Sequence, residues 1–71
     1  MNKKAIIRHH TIAIATMTAR EMNDYYYTVG DSELPGELKK DIYRILDKAL
    51  EIIEANSYDV MAVGSEIREI A

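Results

Sequence analysis

The chain has 71 residues, no cysteine and a formal net charge of −3 at pH 7. This length predicts a single domain, residues 1–71, and the missing cysteines exclude disulfides and thiolate zinc sites as sources of stability. The acidic balance argues against general nucleic-acid binding. No apolar run approaches about 18 residues, so we expect no membrane span and predict a cytoplasmic protein.

Residues 3–29 are predicted to form a first helix with an unusually wide apolar arc. Apolar side chains recur at alternating spacings of three and four, and a second apolar stripe lies further round the same helix. A domain this small is marginal alone, so we expect the wide arc to be covered by a second copy, giving a homodimer or higher oligomer. This first-helix seam consists of Ile12, Ala15, Ala19, Met22 and Tyr26.

Residues 5–18 also allow a second interpretation. The segment TIAIATMT alternates β-branched and small residues, as a strand does. Thr18 with Glu21 would then form a capping box that starts a helix at Ala19. We favour the continuous helix, because the chain offers a strand no partner and it would have to pair with a second subunit.

Two further helices follow the turn residues 30–36, GDSELPG. Residues 35–55 show an apolar face opposite a face of alternating charges, which is typical of a solvated amphipathic helix. Residues 58–70 repeat the helical spacing, with Ser57 as a candidate cap and Gly64 on the apolar stripe. A glycine inside a helix costs about 1 kcal/mol, which suggests close helix approach there; the alternative for VMAVG is a short strand. The predicted fold is all-α, with three helices.

The first twenty residues carry four basic side chains and no acid, whereas the remaining residues carry a net −7. Cations at a helix N-terminus oppose the helix dipole, so their presence calls for an explanation. They suit an anion such as a phosphate or nucleotide, an acidic protein partner, or simply a solvated helix end. The candidate ligand residues are Lys3, Lys4, Arg8 and His9, with Tyr27 as a possible stacking ring.

The remaining candidate side chains predict no chemistry within one chain. His9 and His10 are adjacent and point to different sides of a helix, so they do not form a metal pair. No metal, phosphate-loop or nucleophile–base spacing occurs, and we predict no metal, no cofactor and no enzymatic activity. Residues 25–27 are three consecutive tyrosines, of which at least one should lie exposed or in an interface.

The general form, a tiny acidic chain without a catalytic motif, is similar to that of many small phage or mobile-element proteins. It leads us to expect a non-enzymatic regulatory protein that sequesters or blocks a protein partner, such as an inhibitor of a host system. The alternative is an oligomer that holds an anionic small ligand, such as a nucleotide, between basic helix ends.

Overall fold

The computed structural model of the chain describes residues 2–56 and 60–70, which form four helices and, within those ranges, no strand. The helices are α1 (Lys3–Ile14), α2 (Ala19–Gly30), α3 (Gly36–Ala55) and α4 (Val60–Arg68). The all-α prediction is confirmed. The predicted cap Ser57 and the predicted helix start at residue 58 lie outside the described ranges.

The predicted continuous helix 3–29 is wrong, because the chain leaves the helix after Ile14 and starts a new one at Ala19. The new start is a complete capping box. Thr18 Oγ1 accepts the backbone N–H of Glu21 at 3.2 Å, and Glu21 Oε1 accepts the N–H of Thr18 at 3.0 Å. These bonds satisfy backbone groups that a continuous helix would have paired internally, so the break loses little hydrogen bonding.

The last turn of α1 tightens before the break. The N–H groups of Thr16 and Met17 donate three residues back, to the carbonyl groups of Ala13 and Ile14, at 3.1 and 3.0 Å. Thr16 Oγ1 adds a bond to the Ala13 carbonyl at 2.9 Å. Threonine hydroxyls compete in this way for backbone partners and favour helix ends. Residues 11–14 are helical, so the alternating TIAIATMT pattern does not form a strand.

The core is built around α3, which contacts α1, α2 and α4, while α1 also contacts α4. Four α3 side chains of its apolar face are fully buried: Ile42, Leu46, Ala49 and Ile53. The turn between α1 and α2 folds α2 back onto α3, so both halves of the predicted first helix pack within the same chain. One copy therefore covers most of the wide apolar arc that suggested a second copy.

Gly64 lies where α4 approaches the end of α1. A Cβ atom placed on this residue would be 3.3 Å from the backbone oxygen of Ala15, closer than an ordinary van der Waals contact. The predicted close helix approach is confirmed, and residues 60–64 are helical rather than a strand. On either side of this position, Val63 and Ile67 are fully buried.

The turn between α2 and α3 is tied to both helices. Lys39 Nζ donates to the carbonyl oxygen of Gly30 at 2.9 Å, which places a cation at the negative end of α2. Ser32 Oγ donates to the Val29 carbonyl at 2.6 Å. Along the described residues, no helix combines the length and the apolar character needed to cross a membrane.

Candidate binding groove

A groove runs between α1 and α3 and ends at the turn after α4. It consists of two cavities of about 550 and 330 Å³, both open to solvent. Ile7 and Asp41 line both cavities, so the two adjoin and form one surface feature. We call it the α1–α3 groove.

The floor of the α1–α3 groove is apolar. Leu38 and Ile45, from α3, are only 2% and 5% exposed and form its deepest part. Ile7, from α1, and Ile70, beyond α4, are half-buried at its sides and pack against the core. The floor is therefore the outer surface of the hydrophobic core, and an occupant would have to reach down to it with apolar side chains of its own.

The rim of the α1–α3 groove is basic on a protein that is acidic as a whole. Two acidic side chains, Glu37 and Asp41, also line it, which leaves an excess of three positive charges in the groove. Such a local excess raises the concentration of anionic partners near the surface and guides their approach. The five cations of the rim are Lys3, Lys4, Arg8, Arg44 and Lys48.

Both acidic residues of the rim are already paired. Lys3 Nζ lies 3.4 Å from Glu37 Oε2, and an Arg44 guanidinium nitrogen lies 3.8 Å from Asp41 Oδ1. Exposed pairs of this kind each contribute only about 0–1 kcal/mol, so they do not rigidify the rim. They do, however, weaken the attraction between the two carboxylates and the other rim cations.

Lys4 and Arg8 are the rim cations that stay unpaired among the residues described by the structure, since no described carboxylate lies within 4.0 Å of either. They are four residues apart on α1 and so project from the same side of the helix. Lys48 pairs with Glu51, outside the groove, at 3.9 Å. Lys4 and Arg8 are therefore the positive charges most available to an occupant.

The structure brings together three of the five predicted ligand residues. Lys3, Lys4 and Arg8 line the larger cavity of the α1–α3 groove. His9 is exposed on α1 but does not line the groove, and Tyr27 is 78% exposed on α2. The predicted combination of basic side chains with a stacking ring is not assembled in one place.

The start of α1 is already capped by a side chain. Asn2 Oδ1 accepts the N–H of Ala5 at 3.3 Å, which is the hydrogen bond expected of a helix N-cap. One of the free N–H groups that an anion would use is therefore occupied. Any anionic group bound nearby would depend on the basic side chains of the groove more than on the helix end.

The first-helix seam lies mostly inside the chain. Ala15 and Met22 belong to the buried core, and Ala19 and Tyr26 are half-buried against it. Ile12 is the exception, with 46% of its surface exposed. A contact with a second copy through this seam would therefore bury Ile12 directly and reach the exposed parts of Ala19 and Tyr26, but it would hardly touch Ala15 and Met22.

His10 links α1 to α2. Its Nδ1 lies 2.6 Å from the hydroxyl oxygen of Tyr25, and the two rings are tilted against each other. Burial, followed by repulsion from His9, lowers the pKa of His10, and burial raises the pKa of Tyr25. Burial and the neighbouring His9 therefore favour a neutral imidazole, and the hydrogen bond to Tyr25 contributes to holding the two halves of the broken helix together.

The other two tyrosines lie in different environments. Tyr26 donates to Asp47 and stacks on the ring of Tyr43 at a centroid distance of 5.7 Å. Burial and this hydrogen bond raise the pKa of Tyr26. Tyr27 points into solvent, which confirms that at least one of the three rings is exposed.

Sequence reasoning missed the α3 side of the groove. The alternating charges of residues 35–55 predict a solvated face, but four side chains of that face line the groove. Their spacings of four, three and four residues place them along one side of α3: Glu37, Asp41, Arg44 and Lys48. That spacing was the available signal. It did not reveal that α1 packs beside this side of α3, because the pairing of helices depends on where the first helix breaks.

Within the described ranges, no group of three or more His, Asp or Glu side chains is arranged to hold a metal ion. No protein-family model, curated protein or solved structure matches this chain.

Proposed function

We propose that the protein is a non-enzymatic binding protein that acts in the cytoplasm by sequestering or blocking a protein partner, as small phage-encoded inhibitors do. The binding surface is the α1–α3 groove. One observation carries the proposal: two cations that pair with no described carboxylate, Lys4 and Arg8, stand over an apolar floor on an otherwise acidic molecule.

The shape of the groove favours a macromolecular partner over a small molecule. Small-ligand sites are concave and enclose most of the ligand surface. The α1–α3 groove is open to solvent along its length, with apolar residues at the bottom and charges at the edge. An apolar centre surrounded by a polar rim is the usual arrangement of protein–protein contacts.

The proposal is tested by capture of partners from the cells that make the protein. We compare the unmodified protein with the double variant Lys4→Glu/Arg8→Glu. The matched control is Arg20→Glu/Lys40→Glu, which changes the net charge by the same amount at exposed positions that do not line the groove. Circular dichroism is used to check that all three proteins are equally helical.

Protein partners retained by the unmodified chain and the control, but lost from the groove variant, are the expected result. Each reversed charge should cost about 1 kcal/mol or more if it faces an opposite charge in the complex. Equal retention by the groove variant, or loss from both variants alike, would show that the groove is not the binding surface.

A second candidate function is sequestration of an anionic small ligand such as a nucleotide. The observation in its favour is that Lys3, Lys4 and Arg8 line one cavity of about 550 Å³, within the size range of small-ligand sites. Native mass spectrometry of untagged protein tests it. Extra mass of a few hundred daltons, absent from the Lys4→Glu/Arg8→Glu variant, would favour this function; its absence from unmodified protein would exclude tight binding.

Self-association through the first-helix seam is retained as a proposal and now depends mainly on Ile12. Replacing Ile12 with Glu should convert an oligomer into a monomer, because the substitution places a charge in the centre of the contact. The matched control is Thr28→Glu, at an exposed position of α2 outside the seam. Light scattering coupled to size exclusion measures the mass, and a monomeric unmodified protein would contradict the proposal.

A further inference from the structure

We infer that the α1–α3 groove receives an acidic amphipathic helix of the partner protein, about three turns long. The inference rests on the proposed function and specifies its partner. The helix would place apolar side chains on the floor of the groove and carboxylates beside Lys4 and Arg8. The length, floor and charges of the groove each support this occupant.

The length of the groove sets the length of its occupant. Along α3 the lining residues run from Glu37 to Lys48, which at 1.5 Å per residue is about 16 Å, or three helical turns. The apolar floor extends over most of this distance, from Leu38 to Ile45 and on to Ile70. An amphipathic helix of that length presents apolar residues at spacings of three, four and seven, which is the usual way a helix binds in a groove.

The charges of the groove determine which charge the occupant should carry. Glu37 and Asp41 are paired with Lys3 and Arg44, and Lys48 pairs with Glu51. Among the described residues, the positive charges that remain toward an incoming chain are therefore those of α1, Lys4 and Arg8. Carboxylates on the flank of the apolar stripe that faces α1 would match this distribution. A neutral helix would gain nothing from the rim, and a basic helix would meet like charge at Lys4 and Arg8.

Two other occupants fit less well. In a symmetric dimer the same patch meets itself, so the five rim cations of one copy would face those of the other. An anionic membrane would contact the cations, but surface-binding helices project apolar side chains into the lipid. Here the deepest apolar residues, Leu38 and Ile45, are recessed and hardly exposed.

Selection from a displayed library of random peptides, about four turns of helix in length, tests the inference on the folded protein. The library is selected in parallel on the unmodified chain, the groove variant Lys4→Glu/Arg8→Glu and the control variant Arg20→Glu/Lys40→Glu. We expect the unmodified chain and the control to enrich acidic peptides with helical apolar spacing. These peptides should become helical on binding and should bind the groove variant about tenfold more weakly or worse.

Several results would overturn the inference. Enriched peptides that are basic, neutral or without helical spacing would do so, as would acidic peptides that bind the groove variant equally well, or no enrichment at all. Sedimentation with phosphatidylserine vesicles that depends on Lys4 and Arg8 would assign the groove to a membrane, and a dimer abolished by the groove variant would assign it to a second copy. If capture from cells depends on the groove but the cross-linked partner segment is not an acidic helix, the inference fails while the proposed function stands.

Discussion

Replacing Thr18 with Ala tests why the first apolar stretch folds back on itself. The substitution removes the side-chain oxygen that accepts the Glu21 N–H, and with it one half of the capping box. Alanine also favours a continuous helix across residues 15–18, because it is the best helix former. The variant therefore asks whether the break depends on the cap alone or also on the packing of α2.

The structure indicates which effect is larger. Loss of a threonine cap costs about 1 kcal/mol, within a usual range of about 0.5–2 kcal/mol. Straightening the chain would remove the buried side chains Met22 and Val29 from the core, at roughly 1.5–3 kcal/mol each. The free energy of burying these side chains exceeds that of the cap. Thr18→Ala should therefore be less stable by about 1 kcal/mol, melt roughly 4–8 °C lower, and keep the break between α1 and α2.

Urea unfolding followed by circular dichroism measures the loss, and light scattering measures the mass. The control is Thr28→Ala, at an exposed position inside α2, where a change within about 0.5 kcal/mol is expected. Unchanged stability of Thr18→Ala would refute the role of the capping box. A rise in mass above that of the unmodified protein would refute the argument that packing of α2 within the chain outweighs the cap.

Three further predictions concern single contacts. Because folding lowers the pKa of His10, the folded chain favours the neutral ring, and stability should be full above the unfolded value of about 6.5 and fall as the pH drops below it. Urea midpoints at two pH values should lose this dependence in His10→Gln, whereas His9→Gln should keep the larger part of it, because burial of His10 remains. Gly64→Leu should destabilise the chain by about 1–3 kcal/mol, since α4 lies against the backbone of α1. Thermal unfolding beside the unmodified protein measures the loss, and a melting temperature equal to that of the unmodified protein would contradict the close approach. Asp47→Asn should lower the pKa of Tyr26, because it removes the carboxylate that accepts the Tyr26 hydroxyl. Ultraviolet titration of tyrosinate measures the change, and an unchanged titration would argue against this hydrogen bond.

The helices with a regular apolar spacing could be predicted from the sequence, but the break between α1 and α2 could not. The spacing of Leu38, Ile42, Leu46 and Ile53 predicts α3 almost to the residue. The Thr18 capping box was visible, but it competed with a helical apolar pattern that continued on both sides. The decision depends on tertiary packing, because only contact with α3 makes folding back more favourable than extending.

The basic half of the groove could be predicted, and its opposite half could not. An excess of cations without acids identified Lys4 and Arg8 from local sequence alone. The contribution of Arg44 and Lys48 required knowing which side of α3 lies next to α1. Tyr27 was grouped with the cations because both suit a nucleotide, but it lies on α2, beyond a turn that changes the direction of the chain.

The central position of α3 has a consequence for the order in which the molecule opens. Isolated helices shorter than about 12–15 residues are marginal in water, and α1 and α2 have 12 residues each while α4 has nine. All three contact α3, which has 20 residues. Amide hydrogens in the middle of α3 should therefore exchange only when the whole chain unfolds, whereas those near the break at residues 15–18 should exchange through local opening.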